Sequence, residues 1–305
     1  MKTAFLFAGQ GAQKVGMGQD FYDAFPEVRA LYDQHTLDFD IKKCCFEGPE
    51  EQLNDTAYAQ SCLLITSYAI AMCLKYQGVT ADVAAGLSLG EYTALTYAGV
   101  FHLEEALKVV RKRGRLMAEA LPLGTGMMAA VIGAKTEMVQ KACETASEDG
   151  ICEVANYNCP GQVVISGETK AVKRAAAILK DQGLRRVLPL KVSGAFHSSL
   201  LNQASKELGT VLDSVELRRP QLPVYSNVSG QVERGPLKEV LMRQMCSSVY
   251  FEAGIRQMLD DGVDTFVEIG PGKTLSGFVK KINRNVSVYH VEDLQSYEEV
   301  LKAFR

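Results

Sequence analysis

The stretch Val83-Ala84-Ala85-Gly86-Leu87-Ser88-Leu89-Gly90-Glu91-Tyr92 decides the fold. Val83 to Gly86 reads as a short buried strand, and Leu89 to Ala98 opens a helix. Between them stands G-x-S-x-G, whose two glycines permit a tight, strained turn that lifts a serine hydroxyl out of the fold. The helix that follows aims its free N–H groups and positive dipole end at that hydroxyl. Those donors suit a developing oxyanion, with the N–H of Leu89 as first candidate. The same residues also suit a simpler role, a Gly-flanked helix start with Ser88 as its N-cap.

Outward from this turn, the flanking segments repeat the strand-then-helix rhythm. Thr3–Phe7 reads as a strand ending in the Gly-rich turn Ala8-Gly9-Gln10-Gly11, and helical periodicity runs from Met17 to Tyr32 and from Ser61 to Lys75. A further helix spans Leu103 to Ala120. After Ser193 the chain reads as helix 200–212, strand 222–226, helices 237–246 and 252–260, strand 265–269, helix 274–282, strand 286–290 and a last helix. Strands alternating with helices predict a mostly parallel sheet covered on both faces. The segment between differs: strand 127–132, helix 136–147, strands 152–156 and 162–166, helix 168–182 and strand 185–190. That order is β-α-β-β-α-β, the split ferredoxin-like arrangement. The expected organisation is therefore a discontinuous large α/β domain, residues 1–124 and 193–305, with a ferredoxin-like small domain, residues 125–192, inserted into it.

Composition bounds the function. A chain of 305 residues suits about two domains. With 47% apolar and 23% charged residues, it excludes disordered and fibrous classes. A net charge of −3 argues against a general nucleic-acid binder. The eight cysteines include no CxxC pair, so neither a zinc ribbon nor a thioredoxin-type site is expected, and no metal. The N-terminus MKTAFLFAGQGAQ has an apolar run too short for a secretion signal. The apolar run Cys62–Leu74, interrupted by Thr66 and Ser67, falls short of a membrane span. A reducing cytoplasm is expected, with a monomer, since no heptad or edge feature points to assembly.

A serine hydroxyl needs a base, usually histidine. His35 lies in a polar stretch, His102 starts a helix, and His290 ends a strand beside Glu292 and Asp293. His197 alone sits in a small-residue loop, Ser193-Gly194-Ala195-Phe196-His197-Ser198-Ser199, between a strand and a helix. Loops at strand ends are where α/β sheets carry catalytic groups; a capping or solvated histidine is the other reading. Gly9-Gln10-Gly11 offers a second set of backbone donors, or an ordinary turn. Gly270-Pro271-Gly272-Lys273-Thr274 is not a phosphate loop, because Val267 stands where that motif needs its first glycine. It reads as a turn that starts a helix.

Six motifs, in order, resemble the malonyl-CoA:acyl-carrier-protein transacylases of type II fatty acid synthesis. They are GQGAQ (Gly9–Gln13), GLSLGEY (Gly86–Tyr92), KRGRLM (Lys112–Met117), NCPGQVVISG (Asn158–Gly167), GAFHS (Gly194–Ser198) and EIGPGKTL (Glu268–Leu275), and they span essentially the whole chain. The resemblance implies a hydrolase-like large domain, Ser88 as the acylated nucleophile and His197 as its base. It implies an oxyanion hole from the N–H groups of Gln10 and Leu89, and Arg113 paired with the free carboxylate of the malonyl group. It further implies that a main-chain carbonyl steers the histidine, at Gln244, which fits the lack of an Asp in an obvious triad setting. Phe196, beside the base, would narrow the pocket against an α-methyl branch. Without the resemblance, Arg113 reads as a solvated arginine on a helix face.

The implied partners are malonyl-CoA, as substrate rather than cofactor, and an acyl carrier protein; neither nucleic acid nor membrane is expected. Carrier proteins are typically acidic, so three basic clusters are candidate docking sites: Arg111/Lys112/Arg115, Lys180/Arg185/Arg186/Lys191 and Lys280/Lys281/Arg284. The chain departs from the family at Leu87, where His usually precedes the nucleophile, and at Tyr250, which follows Val249 where relatives carry a polar or basic residue. Two other activities share the nucleophile and base: a serine esterase or thioesterase, and a free-standing acyltransferase loading a polyketide synthase. A non-catalytic carrier-protein binding module is a third class, disfavoured because both Ser88 and His197 are present.

Overall fold

In the computed structural model, residues 1–192 and 194–305 are described, and they form nine strands in two sheets. The strands are β1 (Thr3–Phe7), β2 (Val83–Gly86), β3 (Gly126–Ile132), β4 (Cys152–Cys159), β5 (Gln162–Glu168), β6 (Arg186–Pro189), β7 (Val224–Tyr225), β8 (Thr265–Ile269) and β9 (Ser287–Val291). The larger sheet has the order β7-β2-β1-β8-β9, and each of its pairings is parallel. Every residue of β1, β2 and β8 is buried, as expected for strands covered on both faces.

The smaller sheet has the order β4-β5-β3-β6 and is antiparallel throughout. Helices Thr136–Ala146 and Thr169–Asp181 pack on it, completing the β-α-β-β-α-β order. Among the described residues, its buried apolar cluster runs from Ala129 to Val187, with Met127 packed against it. The α/β class, with one parallel sheet and a smaller ferredoxin-like one, is thus as the sequence reads. Ser193, where the second segment of the large domain was expected to begin, lies outside the described residues.

Segment Ser248–Tyr250 joins the two sheets. Val249 donates to Ala155 O (2.8 Å) and accepts from Tyr157 N (2.8 Å), extending β4 sideways in parallel. The next residue, Tyr250, donates its N–H to Asn227 O (2.7 Å) in the large-sheet unit. Its ring stacks on Tyr157, with centroids 5.0 Å apart and planes 9° off parallel. Tyr250 therefore makes an aromatic contact across the junction.

The structure corrects several local expectations. Met17–Tyr32 is two helices, Gln19–Ala24 and Pro26–Asp33, because Pro26 lacks an N–H and forces Phe25 extended, at φ −120° and ψ 116°. Short helices at Ile41–Phe46 and Glu50–Asn54 carry too few turns to show a period. The expected strand 222–226 shrinks to Val224–Tyr225. The central helix starts at Thr56, where Asp55 caps it by accepting from Ala57 N, and runs 21 residues to Tyr76. It is long and apolar enough to cross a membrane, contrary to the sequence reading of its length, yet 78% of its most apolar window is buried inside the fold.

Candidate active site

The G-x-S-x-G turn is built by steric exclusion. A Cβ on Gly86 would lie 2.0 Å from Gly90 C, and one on Gly90 would lie 2.0 Å from Phe7 O. No side chain fits either gap, so the elbow packs directly onto β1 and onto itself. The cost falls on Ser88, a non-glycine residue held at φ 54°, ψ −101°. Such a conformation persists only where its surroundings over-determine it. Here both backbone groups of Ser88 are clamped: its N–H donates to Asn227 Oδ1 (2.6 Å), and its carbonyl accepts from Gln244 Nε2 (2.8 Å).

Ser88 Oγ lies 2.7 Å from His197 Nε2. The other ring nitrogen, Nδ1, is 2.9 Å from Gln244 O. A carbonyl only accepts, so Nδ1 carries the proton in the neutral ring, and Nε2 presents its lone pair to the serine hydroxyl. Burial, reinforced by the Arg113 cation, pushes His197 down to about 4. The ring is therefore neutral at physiological pH. His197 is also held at positive φ, 56°, and the loop around it is tied down by Ser199, whose N–H and hydroxyl both donate to Glu153 of β4 (2.8 and 2.6 Å). Gly194 makes room for Phe196 to fold back, since a Cβ there would meet the phenyl ring at 2.5 Å.

Arg113 is fully buried. Its Nη2 donates to Gln244 Oε1 (2.9 Å) and reaches Ser88 Oγ (3.2 Å), while Nη1 donates to Gln60 Oε1 (2.7 Å). The guanidinium lies over the Tyr92 ring, 5.0 Å from its centroid, and its Nε has no partner among the described residues. Burial pushes its pKa down, yet no carboxylate pairs with it among the described residues. A desolvated cation beside the Ser88 hydroxyl, held by neutral carboxamides, is equipped to receive an anion. This is not the solvated helix-face arginine of the simpler reading.

The N–H groups of Gly90 and Glu91 turn back onto Leu87 O (3.0 Å) and Ser88 O (3.2 Å). The N–H of Leu89 has no partner among the described residues, and neither has that of Gln10. Gln10 sits on the turn after β1, pinned by its Nε2 to Thr56 Oγ1 (2.8 Å). Gly9 packs against the elbow, where a Cβ would meet Leu87 O at 2.4 Å. The GQGAQ and GLSLGEY motifs are thereby one unit.

A cleft of about 230 Å³ runs between the two sheets and holds Gly9, Gln10, Ser88, Phe196 and His197. Its walls are mostly apolar, from Met117, Met128, Val164, Leu190 and Phe278, with Asn156, Asn158 and Gln162 as polar points. The Asn158 Oδ1 is buried without a partner among the described residues. Leu87, which precedes Ser88, lines the same cleft and makes that wall apolar. Two wider surface clefts, of about 730 and 780 Å³, border residues 217–237 and contain neither Ser88 nor His197.

The remaining histidines stay apart. His102 precedes helix Leu103–Glu119, with its N–H accepted by Glu105, while His35 Nδ1 accepts from Leu37 N and His290 lies on the edge strand β9. The EIGPGKTL turn starts helix Thr274–Ile282, and buried Glu268 caps it by accepting from Leu275 N (2.9 Å) and Ser276 N (2.7 Å). Among the basic clusters, Arg111 and Arg115 are both engaged by Asp38, and Arg111 is sandwiched between Phe39 and Tyr58. Lys191 flanks cleft residues Leu190 and Val192, and Lys281 Nζ approaches Gln162 Oε1 (3.4 Å) at the cleft.

Sequence reasoning missed Gln60, Glu91 and Asn227. Gln60 had a legible signal, a lone carboxamide in a mostly apolar helix. Asn227 had none, because its role depends on β7 being brought beside β2. Among the described residues, no cluster of three His, Cys, Asp or Glu side chains could hold a metal ion.

Comparison with known proteins shows the family. The acyl transferase domain family matches residues 4–300. A malonyl CoA-acyl carrier protein transacylase of Bacillus subtilis is 43% identical, covering 100% of this chain and 98% of the relative. The crystal structure of a malonyl CoA-acyl carrier protein transacylase from Clostridium perfringens superposes with TM-score 0.96 at 44% identity, over 100% of this chain and 98% of that one. A malonyl-transacylase solved in complex with its type II polyketide synthase acyl-carrier protein superposes with TM-score 0.95 at 38% identity, over 99% and 100%. The chain belongs to the acyl transferase domain family and, within it, to the malonyl CoA-acyl carrier protein transacylases.

Proposed function

We propose that the chain transfers a malonyl group from malonyl-CoA to the phosphopantetheine thiol of an acyl carrier protein, through a malonyl ester on Ser88. The observation that carries this reading is the buried Arg113 guanidinium, 3.2 Å from Ser88 Oγ. A planar fork matches a carboxylate with two parallel hydrogen bonds, and an acetyl group would leave that cation unpaired.

His197 Nε2 takes the Ser88 proton as the oxygen attacks the thioester carbonyl. The N–H groups of Leu89 and Gln10 receive the tetrahedral oxyanion, and collapse expels the CoA thiolate, which takes its proton from His197. The carrier-protein thiol then gives its proton to His197 and attacks the ester, and Ser88 recovers its proton on leaving. Gln244 O holds the imidazolium that forms in each half-reaction, in place of a triad carboxylate. Phe196 narrows the acyl pocket against branched groups.

CoA thioester and carrier protein are the substrates, and the route calls on no cofactor or metal. Lys191 and Lys281 flank the cleft and suit an acidic carrier protein. A monomer is proposed. The free cysteines, seven of the eight buried, suit a reducing cytoplasm. The domains are assigned as residues 1–124 with 193–305, and 125–192.

Fatty acid synthesis is the pathway assigned; the likeness to a malonyl-transacylase paired with a polyketide carrier protein supports polyketide loading as the second reading. The test is the fate of the malonyl group after wild-type protein is mixed with malonyl-CoA, with and without holo carrier protein. The proposal expects parallel-line ping-pong kinetics and malonyl-carrier product. Steady release of free malonate with no transfer would instead make the protein a thioesterase.

A further inference from the structure

Glu91 is 2% exposed, in the first turn of the helix that begins at the elbow, and no cation forms a salt bridge with it among the described residues. Its Oε2 accepts two hydrogen bonds, from the backbone N–H of Asn227 (3.1 Å) and from Gln244 Nε2 (3.0 Å). Each of those residues is itself a hub. Asn227 accepts from Ser88 N through Oδ1 and donates through Nδ2 to Gly86 O (2.6 and 2.7 Å), so it spans the elbow from strand to nucleophile. Gln244 donates to Ser88 O (2.8 Å), accepts from Arg113 Nη2 (2.9 Å), and its backbone carbonyl lies 2.9 Å from His197 Nδ1. Nucleophile, base and guanidinium come from three distant parts of the chain, and one carboxylate oxygen ties together the two residues that hold all three.

We propose that Glu91 is a positioning residue: its Oε2 locks Asn227 and Gln244 in register, and through them fixes the strained Ser88 backbone, the His197 ring and the Arg113 guanidinium. Glu91 touches no reacting atom. The inference rests on the reading of Ser88 as acylated nucleophile and His197 as its base. The site needs a group with no donor at that oxygen, since both neighbours present N–H. It also needs full glutamate length, because the backbone of Asn227 is fixed by its bridge to Tyr250 N (2.7 Å) and cannot follow a shorter side chain. Glutamine retains the reach and a carbonyl oxygen at the Oε2 place, with its NH₂ turned to the neighbouring Ser226 hydroxyl. Aspartate keeps the charge but loses the reach.

The test compares E91D and E91Q in the full chain. Two readouts are taken: the second-order rate of Ser88 labelling by a fluorophosphonate, which reads the serine–histidine geometry without any acyl substrate, and kcat for malonyl transfer. E91D is expected to lose about a hundredfold on both, the effect of an ångström-scale misplacement. E91Q is expected to stay within about threefold of wild type on both. Wild-type labelling by E91D overturns the proposal. So does an E91Q loss as large as that of E91D, which would assign the effect to charge. If E91D does not fold, E91M, which keeps the side-chain length without an acceptor, takes its place and should lose about a hundredfold in labelling, because Asn227 N–H and Gln244 Nε2 lose their shared partner; wild-type labelling by E91M overturns the proposal. Failure of wild-type protein to label at all would instead overturn the serine–histidine reading beneath it.

Discussion

Replacing Arg113 by Met separates selectivity from chemistry. The guanidinium is fully buried, and its Nη2 already lies 3.2 Å from Ser88 Oγ, so a carboxylate two bonds beyond the ester carbonyl meets it without moving the helix. Two charge-assisted hydrogen bonds in a dry site are each worth about 1.5–3 kcal/mol, so losing the pair removes about 3–6 kcal/mol. At about 1.4 kcal/mol per tenfold, kcat/KM for malonyl-CoA should fall by about 10² to 10⁴. Acetyl-CoA has no carboxylate to lose, and R113M removes a buried unpaired cation from its path. Its kcat/KM should hold or rise by up to about tenfold. Gln60 Oε1 and Gln244 Oε1 lose a donor each, at about 1–3 kcal/mol of stability apiece, so the assay is run well below the variant's Tm. The assay is CoA thiol release in the presence of holo carrier protein, with both thioesters measured on both proteins. A parallel fall for the two substrates would refute the reasoning, because it would make Arg113 a structural or general electrostatic element.

Three further outcomes follow from particular contacts. His197 is held near about 4 by burial and by Arg113, so the base stays neutral between its ordinary 6.5 and about 4. The acid limb of kcat/KM should therefore appear near pH 4, moving upward in R113M; a limb near 6.5 in wild type would contradict the burial argument. G90A places a Cβ 2.0 Å from Phe7 O, between two backbones that cannot yield, and should cost at least about 3 kcal/mol in urea unfolding; a variant as stable as wild type would show that the elbow can part from β1. If Lys191 and Lys281 meet an acidic carrier protein, transfer to carrier should weaken from low to moderate salt far more than Ser88 acylation does. Equal salt response in the two half-reactions would remove charge from the docking account.

The fold was legible where local pattern and global packing agree. The strand–turn–helix at Val83–Tyr92 and the β-α-β-β-α-β segment carry their own periods and turn residues, and the structure reproduces both. Helices 41–46 and 50–54 were not legible, being too short for an apolar stripe to repeat. In the site, Ser88 and His197 could be singled out because each sits in a small-residue loop at a strand end. The residues that hold them carry no such local signal, and only the family resemblance pointed to Gln244. Asn227, Gln244 and Glu91 act through contacts 136 to 156 residues apart in sequence, formed only when β7 and the helix Leu237–Cys246 close on the elbow. Arg113 shows the limit from the other side: apart from the resemblance, Arg111-Lys112-Arg113-Gly114-Arg115 reads as a charged helix face, and packing shows that Arg113 points inward while Arg111 is drawn to Asp38.

The central claim is that Ser88 accepts a malonyl group because His197 and Arg113 stand where they do. Intact mass spectrometry after brief mixing with malonyl-CoA, beside acetyl-CoA and the S88A variant, tests it most directly. One malonyl mass gain is expected on wild type, absent in S88A, far weaker with acetyl-CoA, and discharged when holo carrier protein is added. An adduct that survives in S88A, or acetyl and malonyl adducts of equal occupancy, would contradict the account.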